Sequence, residues 1–392
     1  MPLKRKLLGL AVAAVAIPAA VAVVPNAFAA GPDLLPLTIT NDSGRGEPVH
    51  LYVLGVSGGR LGYVTEAGAF TPWTGGANPP APAPDVSIDG PAPGAAKTIS
   101  VPKGLSGRMY MSFGDKLDFR LTPDGLVQPA PWAGGDANAN FLFDWSEFTY
   151  NDAGVFLNSS QVDMFAVPHS VSVTGSDGRT LTTGLLEPGG RQAVIDGMKA
   201  DPDFAKLVKT RDDGTVLRVL SPGKGAEGSG FPAGYLDGYI DRAWAAYANT
   251  DLTVRPFLDQ PDKVFLGRTS GDVLSFRDAS GAQVATFTKP STADVWGCDG
   301  NLGAPNDLVV GPIARSLCAA LQRGTLGTQA VEPSTDPATF YRSEPVNLYN
   351  KLIHEQMVDG KAYAFAFDDV ANQESLVHSG DPTSIGITLT AF

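Results

Sequence analysis

Two carboxylates, Glu147 and Asp163, stand in apolar company within the stretch FLFDWSEFTYNDAGVFLNSSQVDMFAVP, residues 141–168. Glu147 lies among Trp145, Phe148 and Tyr150, and Asp163 among Val162, Met164 and Phe165. Acidic residues are depleted from strands and rarely buried without a partner or a task. The stretch reads as two β-strands joined around Asn151, Asp152 and Gly154, each strand carrying one of the carboxylates. Cross-strand Cβ atoms lie about 5 Å apart when directly opposed and about 7–8 Å apart on the diagonal. Carboxyls at that spacing can flank a glycosidic bond, one protonating the leaving oxygen while the other activates water or attacks carbon. Apolar neighbours raise a carboxyl pKa, which suits a general acid working near neutral pH. A hairpin with two solvated edge carboxylates fits the same residues.

Other chemistry is less well supported. Gly55-Val56-Ser57-Gly58-Gly59 matches the G-x-S-x-G nucleophile pattern, but that pattern needs a helix straight after the serine. The following GRLGYVTEAG has no helical period, so a glycine-rich turn is expected. Asp136, Asn138, Asn140 and Glu147 fall at ligand positions of a calcium loop, yet Phe141 stands where the essential glycine belongs. A calcium-stabilised adhesion module is the reading that pattern would support, with Glu147 as a ligand; no metal is expected. The histidines His50, His169, His354 and His378 are scattered without ligand spacing. No phosphate-binding loop or dinucleotide fingerprint is present. Cys298 and Cys318 are the two cysteines, and in an oxidising compartment they are expected to pair.

Such a compartment is suggested by residues 1–29, which read as an export signal. Lys4, Arg5 and Lys6 precede an apolar run from Leu7 to Val24, and Ala27-Phe28-Ala29 is a small-x-small cleavage site. Removing those three basic residues takes the formal net charge from −12 to −15. An acidic exported protein is a poor partner for nucleic acid or an anionic membrane, whereas a neutral glucan carries no such penalty. The remaining chain of about 360 residues suits one large domain or two ordinary ones. A charged fraction of 18%, with 45 Gly and 31 Pro, suits a β-rich fold.

The elements that must position the carboxylates follow from alternation and turn chemistry. Strands are expected at 37–40, 49–54, 97–101, 107–113 and 116–121, with 72–94 an ordered surface loop. After Pro168 the pattern becomes mixed. Helices are expected at 191–199, 203–210, 235–248, 310–322 and 346–357, and strands at 215–220, 252–255, 264–268, 273–277 and 284–289. The chain should close with strands at 362–367 and 385–389. Leu236, Tyr239, Ile240, Ala243, Trp244 and Tyr247 share one helix face, which reads as core.

Several long motifs in order carry a family resemblance: LTITNDSGRGEPVHLYVLG, GPAPGAAKTISVPKGLSGRMYMSFGDKLDFRL, the hairpin itself, APNDLVVGPIARSLCA and GKAYAFAFDDVANQESLVHSGDP. The chain resembles glycoside hydrolase family 64, secreted bacterial endo-β-1,3-glucanases that include laminaripentaose-producing enzymes. The hairpin also resembles thaumatin-like proteins. The resemblance implies a mostly β fold of two parts flanking an open crescent groove. A thaumatin-like β-barrel or sandwich would comprise residues 30–180 plus 356–392, and a mixed α/β domain residues 181–355. It implies inversion, with Glu147 as general acid and Asp163 as general base, and glucan contacts at Thr149, Asn151, Phe156 and Ser160. Relatives carry Trp at the place of Phe156 and Thr at that of Ser160. No cofactor is required, the partner would be a β-1,3-glucan, and a monomer is expected. The rival reading is a thaumatin-like protein that binds glucan without hydrolysing it.

Overall fold

Strand alternation builds the first two layers. Along Leu34–Asn41, Leu35, Leu37 and Ile39 are buried on one side, while Val49–Ser57 is buried on both, with Val49, Leu51 and Val53 facing the first sheet. The computed structural model describes residues 31–226 and 228–392, so the expected export signal lies outside the described residues. Five strands form one sheet in the order Thr180–Thr183, His169–Gly175, Pro382–Leu389, Leu34–Asn41, Ala96–Pro102. Leu34–Asn41 runs parallel to Pro382–Leu389, with Leu37 opposite Ile385. The second sheet runs Leu376–Ser379, Gly154–Ser159, Leu142–Asn151, Leu105–Phe113, Val49–Ser57, Arg60–Val64, Phe70–Pro72, with Ile88–Asp89 also beside Val49–Ser57. Leu37, Leu51, Met109, Phe148, Leu157 and Ile387 belong to the core shared by the two sheets. The fold is therefore mostly β and sandwiched. Of the two forms expected, barrel or sandwich, no closed barrel is found among the described residues.

The eight-stranded sheet is apolar on its other face too. Tyr52, Tyr110 and Trp145 enter a second core that continues through Met164, Phe204, Trp244, Phe276, Leu317 and Tyr349. Its far end is an antiparallel meander of Leu252–Val254, Phe265–Ser270, Val273–Arg277 and Gln283–Thr288, with Val331–Glu332 added in parallel. The helices around it include Gly190–Ala200, Asp237–Ala245, Thr292–Gly297, Val310–Arg323 and Leu348–Gln356. The expected apolar face of Asp237–Ala245 is buried, including Tyr239, Ile240 and Trp244. No described helix is long and apolar enough to cross a membrane.

Four expected elements are different in the structure. The alternating segment 362–367 is a series of turns joined to the sheet by one bridge, Tyr363 to Ser160. Its consecutive residues Ala362–Phe365 are all buried, and Asp368 accepts the Ala364 N–H through its side chain. Segment 203–210 is a 3-10 turn, Phe204–Leu207, and then a strand, because Asp201 caps the Asp203 and Phe204 N–H groups and Val208–Thr210 pairs with Val216–Leu220. Within 116–121 only the end is strand, Arg120–Thr122. The Tyr52 hydroxyl accepts the Leu117 N–H and the Asn138 side chain accepts that of Asp118, so side chains replace a neighbouring strand. The loop 72–94 contains two short strands, Ala81–Pro82 and Ile88–Asp89.

Cys298 and Cys318 are disulfide-bonded, with Cα atoms 5.6 Å apart and a sequence separation of 20. The bond ties the end of helix Thr292–Gly297 to helix Val310–Arg323. Replacing both cysteines by serine should lower unfolding free energy by about 3 kcal/mol through the longer loop freed in the unfolded chain. Urea melts of the two proteins would measure it, and an unchanged midpoint would contradict a stabilising bond.

Candidate active site

The hairpin is Leu142–Asn151 paired with Gly154–Ser159, turning at Asp152 and Ala153. Strand alternation sends Leu142, Phe148 and Tyr150 into the sandwich, leaving Phe143, Trp145, Glu147, Thr149 and Asn151 on the opposite face. Glu147 lies opposite Arg108 on one side and Asn158 on the other. Thr149 lies opposite Ser106 and Phe156, and Phe156 opposite His378.

Asp163 is not on the hairpin's second strand. That strand ends at Ser159, and Asp163 occupies a bend before the short strand Met164–Phe165. The two carboxylates are therefore not a diagonal cross-strand pair. Asp163 is held from the other part of the chain: Met164 and Phe165 pair with Leu220 and Val219, and Ser221 N–H donates to the Asp163 carbonyl at 3.1 Å. Asp144 fixes the same segment from behind. Its Oδ2 accepts the Ala166 and Val167 N–H groups at 2.8 and 3.0 Å. Burial pushes the Asp144 carboxyl up to about 7, while those N–H donors and the Arg218 charge favour its ionised form.

Arg108 joins the carboxylates. Its Nε and Nη2 lie 3.0 and 2.9 Å from Glu147 Oε1, and Nη2 is also 3.8 Å from Asp163 Oδ2. With 2.9 and 3.8 Å to one nitrogen, the two oxygens can be no more than the sum, 6.7 Å, apart. The guanidinium sits over the Trp145 ring at 4.7 Å, which fixes its plane. Lys224, on the short helix Pro222–Gly225, reaches Asp163 Oδ1 at 3.3 Å and lies 4.9 Å from the Trp132 ring. Burial holds the Glu147 carboxyl above its usual range; Arg108 opposes this and the Asp163 charge adds to it. The site thus contains one carboxyl biased toward its protonated form and another set between two cations.

The remaining expected residues are placed unequally. Thr149 Oγ1 is 2.8 Å from Ser106 Oγ on the Glu147 face. The Asn151 side-chain oxygen accepts the Ala153 N–H at 2.8 Å, so half its amide serves the turn. Phe156 is buried, its ring stacked 4.0 Å from that of His378. Ser160 is buried where the strand meets Tyr363. The calcium-like pattern does not assemble. Asp136 spends its oxygens on the Ala130 and Asn138 N–H groups, and Glu147 is committed to Arg108. Ser57 ends its strand and is followed by a turn, not a helix.

Sequence reasoning missed Arg108, Lys224 and Asp144. Each sits far along the chain from its partner, though the half-buried position of Arg108 within a strand could have been read from its neighbours. Arg108→Gln should raise the Glu147 pKa further by removing the cation that opposes burial. A higher pKa keeps the acid protonated to higher pH, so the alkaline limb of kcat/KM should move to higher pH. An unmoved limb would mean that Arg108 does not set this proton.

Known proteins resemble the chain over nearly its whole length. A β-1,3-glucanase family model matches residues 33–389. The glucan endo-1,3-beta-glucosidase of Arthrobacter sp. (strain YCWD3) is 46% identical over 391 residues, covering 99% of this chain and 71% of the relative. That of Cellulosimicrobium cellulans is similar to the same extent, 46% over 391 residues with the same coverage. A laminaripentaose-producing beta-1,3-glucanase solved in complex with laminaritetraose superposes with a TM-score of 0.89 at 51% identity, over 92% of this chain and 99% of that one. With a family model over residues 33–389 and relatives at 46% and 51% identity, the chain belongs to the β-1,3-glucanases of glycoside hydrolase family 64.

Proposed function

We propose that the protein is a secreted, inverting endo-β-1,3-glucanase that binds a linear glucan in an open groove and releases short oligosaccharides, laminaripentaose foremost. The observation that carries this reading is the arrangement of Glu147 and Asp163 about one guanidinium, with burial keeping Glu147 suited to donate a proton. Its family membership supports the substrate, and the neighbour at 51% identity supports the product length. The motifs WSEFT and QVDMF support inversion.

In this reading Glu147 gives its proton to the glycosidic oxygen as the C1–O bond breaks. Asp163 takes a proton from a water whose oxygen bonds to C1 from the opposite face. One carboxyl of the pair is ionised before the step and one after it, so the charge passes from Asp163 to Glu147. Arg108 touches both and remains beside that charge throughout. Thr149, Asn151 and Ser160 would hydrogen-bond sugar hydroxyls, and Phe156 would support a pyranose face.

The test is NMR of products in the first minutes on linear β-1,3-glucan. Release of α-anomeric oligosaccharides establishes inversion. β-Anomers would mean retention, with Asp163 as nucleophile. Bound glucan without products would favour the non-hydrolytic binding protein.

A further inference from the structure

The sheet face that carries Glu147 continues away from the hairpin. Glu147 is opposite Arg108, Arg108 opposite Leu54, and Leu54 opposite Tyr63. In the next row Thr149 faces Ser106, Ser106 faces Val56, and Val56 faces Leu61. Side chains opposed in register share a face. Tyr63 and Leu61 therefore lie on the same side as Glu147 and Thr149, three strand spacings or about 14 Å away.

That end of the face is aromatic and hollow. Trp73 packs on Tyr63 with ring centroids 4.7 Å apart, and both rings, like Leu61, are only half-buried where they meet the core that holds Trp145. Trp73 and Leu61 line a cavity of about 190 Å³ with Arg60, Thr74, Gly76 and Asp124. Its walls are fixed. A Cβ on Gly76 would stand 1.8 Å from the Thr122 carbonyl oxygen, and the Trp73 and Ala77 N–H groups donate to Leu61 and Leu121. Aromatic rings take the C–H face of a pyranose, while a guanidinium, a carboxylate and a hydroxyl at the rim can bind its hydroxyls. Arg60 and Asp124 cancel in charge, which suits a neutral sugar.

We propose that a β-1,3-glucan chain runs across the strands from Glu147 to Trp73, and that the cavity beside Trp73 is a remote glucosyl-binding subsite. This rests on the glucanase reading, and the occupant is the chain that passes the carboxylates, because Leu54 is buried but the half-buried row Thr149, Ser106, Val56 and Leu61 joins the two places across one sheet face.

The test is calorimetric titration of long linear β-1,3-glucan into three proteins: Glu147→Gln, which preserves the polymer, and the same protein with Trp73→Ala or Arg60→Ala. Trp73→Ala should weaken binding about tenfold and Arg60→Ala about threefold. Equal affinities in all three would overturn the subsite. If Trp73→Ala fails to fold in a thermal melt, Arg60→Ala, at an exposed position, decides alone. Turnover by the wild type is measured separately. A wild type that binds and never cleaves overturns the hydrolase reading and leaves the subsite to the titrations. A wild type that cleaves while the variants bind equally overturns the subsite alone.

Discussion

Glu147→Gln should lower turnover of linear β-1,3-glucan by about 10³-fold, within the range that general acid catalysis supplies. Glutamine keeps the side chain's shape and can still meet Arg108, but it cannot deliver a proton to the leaving oxygen. Two consequences separate this role from simple damage to the groove. Binding of the polymer should persist. An aryl laminaribioside with an acidic phenol, which leaves without protonation, should be cleaved by the variant within about tenfold of wild type. A variant equally slow on both substrates would count against Glu147 as the acid. The pH profile offers a third check. Burial raises the Glu147 carboxyl, so its proton is retained above the ordinary glutamate range, and the alkaline limb of kcat/KM should lie correspondingly high and vanish in the variant with the aryl substrate.

Asp163→Asn should cost about 10²–10⁴-fold, and here an acidic leaving group should not help. Asparagine cannot take the proton of the attacking water, so bond formation to C1 stays slow whichever group departs. The substitution also strips a charge from between Arg108 and Lys224. With that charge gone, the Glu147 proton becomes easier to lose, since Asp163 helps to hold it. The residual alkaline limb should thus move to lower pH, opposite to the shift expected for Arg108→Gln. Rescue of Asp163→Asn by the aryl substrate, or a limb unmoved in both variants, would assign the base elsewhere.

Much of the fold was legible. The strand Val273–Arg277 shows the expected period-two burial, and the helix Val310–Arg323 forms where expected although Ser316–Arg323 are buried all round. The buried face of Asp237–Ala245 does so as well. Segment 362–367 departs from the expected strand because its apolar residues belong to buried turns, whose Ala362, Tyr363 and Ala364 N–H groups donate to the Gln373 carbonyl, the Gln161 side chain and the Asp368 carboxylate and not to a neighbouring strand. Segment 116–121 was misread for a related reason: Tyr52 and Asn138, distant in sequence, supply the acceptors that a ladder would otherwise provide.

For the site, the sequence by itself determined which residues stand out: two carboxylates in apolar stretches, and a hairpin that places Glu147, Thr149 and Asn151 on one face by alternation alone. Only the tertiary structure decided how the carboxylates meet. Asp163 sits beyond the strand, carried into place by pairing with Val216–Leu220, by the Asp144 side chain and by Lys224. Arg108 then bridges it to Glu147 from a strand that is a neighbour in the sheet and remote in the chain. Alternation is a local property, set by the pleat of one strand. Desolvation of Glu147 and the balance of charge around Asp163 are sums over groups from separate segments, and those sums exist only once the chain has folded.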